Sequence, residues 1–153
     1  MVSFVIPARN EEALLGATLD AIVRAAAALS TEYEIIVVND ASTDATASIA
    51  RACGAKVVDV ELRKISAVRN AGARQARGDW LVFVDADTHI DAPVLLAAQD
   101  AIAHGAAGGR RPRGMRRSDA AGRPDLRLVC HTVMVPCFPL GGGMLCLCAP
   151  RRV

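Results

Sequence analysis

The chain reads as an α/β domain: a Rossmann-like parallel sheet with flanking helices over residues 1–107, followed by an irregular C-terminal tail. Three observations predict this. Short β-prone runs alternate with stretches of helical period. Trp80-Leu81-Val82-Phe83-Val84 is apolar at every position, the pattern of a strand covered on both faces. Strands separated by helices imply parallel pairing through right-handed crossovers.

Residues 2–6 make a first strand that Pro7 stops. Leu15, Leu19, Ile22, Ala26 and Leu29 then recur at steps of four and three, one apolar stripe on a helix over about residues 11–29. Glu11 and Glu12 suit the positive end of its dipole. Residues 34–38 form a second strand running into Asn39-Asp40-Ala41-Ser42-Thr43-Asp44, a cluster of turn and cap residues. Asp44 or Ser42 caps a short helix that runs to Cys53, and Gly54 stops it. Residues 57–60 are a third strand, and residues 65–77 a third helix ending at Gly78. Residues 80–84 are the fourth strand. A fourth helix over about residues 93–104 begins with Pro93 at a favourable first-turn position and ends at Gly105.

Charge divides the chain. Residues 1–107 carry nine Lys/Arg against fourteen Asp/Glu, a net of −5, and residues 108–153 carry nine Arg against two Asp, a net of +7. The tail also holds four of the five Cys, five of the seven Pro and seven of the twelve Gly, which sets a boundary near Gly108. The abrupt change suggests a truncated or frame-shifted segment. Arg110, Arg111, Arg113, Arg116 and Arg117 could attract phosphates or acidic lipids as a peripheral membrane contact, although a solvated segment is the plainer reading. Residues 128–150 have bilayer-spanning length and no formal charge, but their Pro and Gly argue against a regular helix. Cys130, Cys137, Cys146 and Cys148, with His131, lack the close Cys pairs of structural zinc sites and read as free thiols. The N-terminus has no basic segment before its apolar run and the first helix is amphipathic, so a cytoplasmic location is expected.

Three segments converge on the carboxyl ends of the strands, where open α/β sheets bind ligands: Pro7-Ala8-Arg9-Asn10-Glu11, residues 39–44 and Asp85-Ala86-Asp87. Asp85 and Asp87, one residue apart on an extended segment, should point the same way, and a divalent cation relieves their repulsion. That reads as a metal-dependent site for a phosphorylated ligand. Asp40 could accept hydrogen bonds from a base or a ribose. Pro7 stiffens the first segment, whose main chain could lie against a base. Lys64, at the start of the third helix, is placed to reach a phosphate. Arg69, Arg74 and Arg77 read as a solvated basic face. No G-x-G-x-x-G follows the first strand and no G-x-x-x-x-G-K-[ST] occurs, which disfavours dinucleotide and P-loop chemistry.

The motifs Val5-Ile6-Pro7-Ala8-Arg9-Asn10-Glu11-Glu12, Val38-Asn39-Asp40-Ala41-Ser42-Thr43-Asp44, Ala67-Val68-Arg69-Asn70-Ala71-Gly72 and Gly78-Asp79-Trp80 through Asp87 resemble those of family 2 glycosyltransferases. The resemblance covers about residues 2–105 and implies a GT-A fold, with residues 1–107 as the nucleotide-sugar-binding domain. It implies transfer of a sugar from a nucleotide-diphosphate donor, UDP- or GDP-linked, to an acceptor that is a sugar, a lipid or a small molecule. By the same resemblance residues 7–11 hold base and ribose, Asp40 contacts the base, and Lys64 lies near the nucleotide. Asp85 sits near ribose or sugar, and Asp87 coordinates Mn²⁺ or Mg²⁺. Asn39 stands where Asp is commoner. A nucleic-acid partner is not expected. A homodimer would follow from a sheet edge left bare by a missing half.

An inverting enzyme needs a general base, and no residue qualifies: no Glu follows Glu61, and no acidic pair follows Asp87. This motivates a second reading, an inactive nucleotide-binding remnant. A third is a haloacid-dehalogenase-like phosphatase, because Asp85-Ala86-Asp87-Thr88 resembles the D-x-D-x-T motif. That family places the motif on its first strand and needs a downstream Lys, and here three strands precede it and no Lys follows Lys64.

Overall fold

The computed structural model describes residues 1–103 and 145–148. Its elements are β1 (Val2–Ala8), α1 (Leu15–Ala26), β2 (Tyr33–Asp40), α2 (Thr46–Ala52), β3 (Lys56–Val60), α3 (Ile65–Gln75), β4 (Trp80–Val84), α4 (Ala92–Ala103) and β5 (Leu145–Cys148). The sheet order is β3-β2-β1-β4-β5. The first four strands pair in parallel, and β5 runs antiparallel along β4.

Alternation along the strands builds two cores. Phe4, Ile6, Ala8, Val37, Val82 and Val84 face one side with Leu15, Leu19 and Ile22 of α1, Ala50 of α2 and Leu95 of α4. Val5, Ile36, Val38, Leu81 and Phe83 face the other with Val68 and Ala73 of α3. Gly72 lets α3 approach closely: a Cβ there would meet Val5 Cγ1, and would lie 2.7 Å from Val38 Cγ2. Central strands are therefore covered on both faces, as the apolar β4 run predicts.

Differences from the sequence reading have local causes. Pro7 does not end β1. Pairing with β4 stops at Val5, so a proline two residues later removes no donor from that ladder, and β1 continues along β2 to Ala8. Pro7 and Ala8 are thus buried strand residues rather than loop residues. α1 runs from Leu15 to Ala26, shorter at both ends than the expected 11–29; ahead of it the N–H groups of Glu11 and Glu12 bond to Thr46 Oγ1 and Asp44 Oδ2 across the rim. Asp91 caps α4, accepting the Val94 N–H at 3.1 Å. Within the stretch read as irregular, Leu145-Cys146-Leu147-Cys148 forms β5, a run too short for periodicity to mark. The remainder of residues 108–153, including the Arg cluster, His131, Cys130 and Cys137, lies outside the described residues, as does the boundary at Gly108.

Candidate functional site

The carboxyl ends of β1, β2, β3 and β4 carry the site. Two of its loops are bonded to each other. Asn10 donates its N–H to Ser42 Oγ at 3.0 Å, and its Oδ1 accepts the Thr43 N–H at 2.9 Å. Glu11 N–H donates to Thr46 Oγ1 at 2.8 Å, while Ala45 N–H donates to Glu12 Oε2 at 2.9 Å. Ala45 holds the N-cap position of α2, and Asp44, one residue earlier, accepts the Thr46 N–H at 3.0 Å, close to the capping role expected of Asp44 or Ser42. The Thr46 hydroxyl holds the Asp44 carboxyl below its ordinary value, outweighing desolvation.

Asp40 is 5% exposed at the end of β2. Its carboxylate accepts the backbone N–H of Leu62 at 2.7 Å and of Arg63 at 2.9 Å and 3.2 Å. It therefore organises the β3–α3 loop and does not stand free in the rim. Arg63 there has φ 50°, as Asn10 has φ 54° and Ala41 has φ 52°, so each of three rim loops carries one left-handed residue. Asn39 donates from Nδ2 to Asp59 Oδ1 at 2.7 Å, and its Oδ1 accepts the Ser42 N–H at 3.3 Å. A carboxylate in its place would oppose Asp59, so the amide suits this position.

The acid pair does not sit on an extended segment. Thr88 N–H bonds back to the Asp85 carbonyl at 3.0 Å, making a turn directly after β4. Ala86, Thr88 and Ile90 are buried, and the Thr18 hydroxyl of α1 donates to the Ala86 carbonyl at 2.7 Å. Asp87 projects into solvent, whereas Asp85 is half-buried. Asp85 Oδ1 accepts from Arg69 Nη2 at 2.6 Å, with the side chains 29% and 15% exposed. Arg69 is thus not part of a solvated face. Its signal in the sequence was position: it precedes Gly72 and Ala73, both buried, by three and four residues on α3. Arg69 Nε and Asn70 Oδ1 are buried without partners among the described residues.

Glu11 completes the acidic side of the rim. Burial, then the charges of Asp87 and Asp44, push its carboxyl above the ordinary value. Arg9 and Lys64 are exposed, and among the described residues neither side chain makes a hydrogen bond or ion pair. The structure thus places Glu11, Asp44 and Asp87 within one another's electrostatic reach, ties Asn10 to Ser42 and Thr43, pairs Asp85 with Arg69, and sets Lys64 at the head of α3. It withdraws Pro7, Ala8 and Asp40 into the fold.

A model of glycosyl transferase family 2 matches residues 3–137. The chain belongs to this family. An undecaprenyl-phosphate 4-deoxy-4-formamido-L-arabinose transferase of Aeromonas hydrophila is 38% identical over 94 residues, covering 57% of this chain and 29% of the relative. A 4,4'-diaponeurosporenoate glycosyltransferase of Staphylococcus aureus is 38% identical over 92 residues, covering 56% of this chain and 24% of the relative. The chain thus spans less than a third of the length of these curated relatives. Among solved structures, S. aureus TarS 1-349 superposes with a TM-score of 0.58 at 26% identity, over 76% of this chain and 38% of that one. A Pyrobaculum calidifontis mannosyltransferase in complex with GDP-Man and Mn²⁺ gives a TM-score of 0.54 at 30% identity, over 63% and 30%. These neighbours share the GT-A arrangement that the motifs imply. The phosphatase alternative does not survive, since its motif belongs on a first strand and here ends β4, between β1 and β5.

Proposed function

We propose that this chain is the donor-binding half of a metal-assisted glycosyltransferase using a UDP- or GDP-linked sugar. The observation that carries this is Asp87, an exposed carboxylate in the turn that follows β4, sharing its field with Glu11 and Asp44. Among the described residues no three His, Cys, Asp or Glu side chains form a metal cage. Hard carboxylate oxygens on a solvent-open rim instead suit Mg²⁺ or Mn²⁺, which take one or two protein carboxylates and complete their shell from phosphates and water. Asp87 would hold such an ion, with Asp85 beside it. When bound, the ion supplies charge neutralisation for the departing nucleoside diphosphate.

The chain's own residues do the rest. Arg9 and Lys64, cationic and free to move, would meet the phosphates. Asn10 and Glu11 would form the wall against base and ribose. Asp40 would act mainly by shaping the loop of Leu62 and Arg63, keeping a lone pair for the base. The names of the two curated relatives favour a lipid acceptor over a free sugar. No helix among the described residues is long and apolar enough to cross a membrane.

Calorimetric titration of UDP and GDP, with and without Mn²⁺, tests this beside Asp87→Asn. The expected outcome is cation-dependent binding that weakens about tenfold or more in the variant, a loss of about 1.4 kcal/mol. Binding without acceptor-dependent turnover would favour the inactive remnant. Absence of binding by the folded protein would end the donor-site reading.

A further inference from the structure

The two acids of the β4–α4 turn are not equivalent. Asp85 is half-buried and in short contact with Arg69, and Asp87 is exposed. A carboxylate and a guanidinium at 2.6 Å form a close, charge-assisted pair whose field largely cancels at a distance. The guanidinium is also not saturated by its own fold, because Arg69 Nε is buried without an acceptor among the described residues. Among the described residues its one hydrogen bond goes to Asp85. Arg69 comes from α3, which packs on the face of the sheet opposite α1 and α4, so the contact reaches the rim from behind.

We infer that Arg69 is a positioning residue that neutralises Asp85, leaving Asp87 as the one full negative charge of the pair. This rests on the cation site proposed at Asp87. Without Arg69, Asp85 would become a free carboxylate beside Asp87, and the turn would present two charges to a cation. Removing Arg69 should therefore strengthen metal binding, which loss of an ordinary structural residue would not do.

The test is titration of Mn²⁺ alone into the full chain, followed by electron paramagnetic resonance. Arg69→Gln should bind Mn²⁺ about fivefold more tightly, the order expected when a unit charge is removed near a divalent ion. Arg69→Lys should restore wild-type affinity. The double variant Arg69→Gln/Asp85→Asn replaces an ion pair by two neutral side chains that can still hydrogen-bond, which guards against a folding defect from a stranded charge. It should bind within about twofold of wild type, because the pair it removes is neutral overall. A double variant that loses Mn²⁺ would show Asp85 to be a direct ligand and overturn the inference. So would an Arg69→Gln protein that is folded and binds no more tightly. If wild type and Asp87→Asn bind Mn²⁺ equally or not at all, the cation site itself fails and the inference falls with it. If Asp87 matters and Arg69 does not, only the inference fails.

Discussion

At the amino ends of the strands, Glu34 accepts bonds from the Ser3 hydroxyl at 2.7 Å and the Arg77 N–H at 2.6 Å, and pairs with the Arg77 guanidinium. Ser3 in turn accepts the Gly78 N–H, and the Met1 ammonium pairs with Asp79 at 3.2 Å. At the carboxyl ends, Glu11 faces Asp87 and Asp44, and three non-glycine residues hold left-handed backbone. One end of the sheet satisfies its charges internally. The other concentrates acids of one sign and conformational strain. The difference teaches where the molecule keeps its stability and where it keeps its capacity to bind.

Substitutions should divide along this line. The largest effect is expected where the line blurs, at Asp40, a rim acid that serves the fold. Asp40→Ala would orphan the Leu62 and Arg63 N–H groups and release a left-handed residue, costing about 3 kcal/mol in urea unfolding. At the sealed end, Gly78→Ala would put a Cβ 2.7 Å from Ser3 Oγ and 2.8 Å from both the Met1 carbonyl and Ser3 N. Backbone cannot yield there, so a loss of about 1–3 kcal/mol is expected, with nucleotide affinity of the remaining folded protein unchanged by calorimetry. In the rim, Ala41→Gly should stabilise by about 0.5–1 kcal/mol, raising the thermal midpoint by a few degrees, because glycine accepts φ 52° without a Cβ clash.

The smallest effect has opposite signs at the two ends. Burial alone would raise the Glu34 carboxyl, but its bonds from Ser3 and Arg77 hold it below the ordinary value. Its stabilisation is therefore present at neutral pH and lost as pH falls through and below the ordinary carboxylate range. Glu11 is raised, so the folded state binds its proton more tightly and is penalised as pH rises through that range. Thermal midpoints across pH should show Glu34→Gln weakest against wild type at neutral pH and converging with it in acid. Glu11→Gln should be more stable than wild type at neutral pH and lose that advantage in acid. Identical profiles for the two variants would erase the contrast.

Much of the fold was legible because apolar period is a local property. The β4 run falls where the pattern puts it, and the α1 stripe does from Leu15 to Ala26 although the helix stops before Leu29. The continuation of β1 past Pro7 was not, because it depends on where a neighbouring strand stops pairing. Of the candidate site, the exposure of Asp87 just past β4 and of Lys64 at the head of α3 could be read from where the local patterns end. The partners of Asp40 and Asp85 could not: the Leu62 and Arg63 amides and the Arg69 guanidinium reach them through crossovers that no local pattern encodes. The same physics explains Asn39, whose amide makes sense only beside Asp59 of the next strand.

The mutual bonding of residues 10–12 with residues 42–46 bears on how a ligand would be received. A loop that becomes ordered only at the moment of binding subtracts the entropy it loses from affinity. Here the N–H groups of Asn10, Glu11, Glu12, Thr43 and Ala45 already bond to side chains of the opposite loop, so the wall is pre-organised. Its amides should resist hydrogen exchange more like strand interiors than like loop tips. A molecule arriving at this rim would meet a surface already frozen into shape.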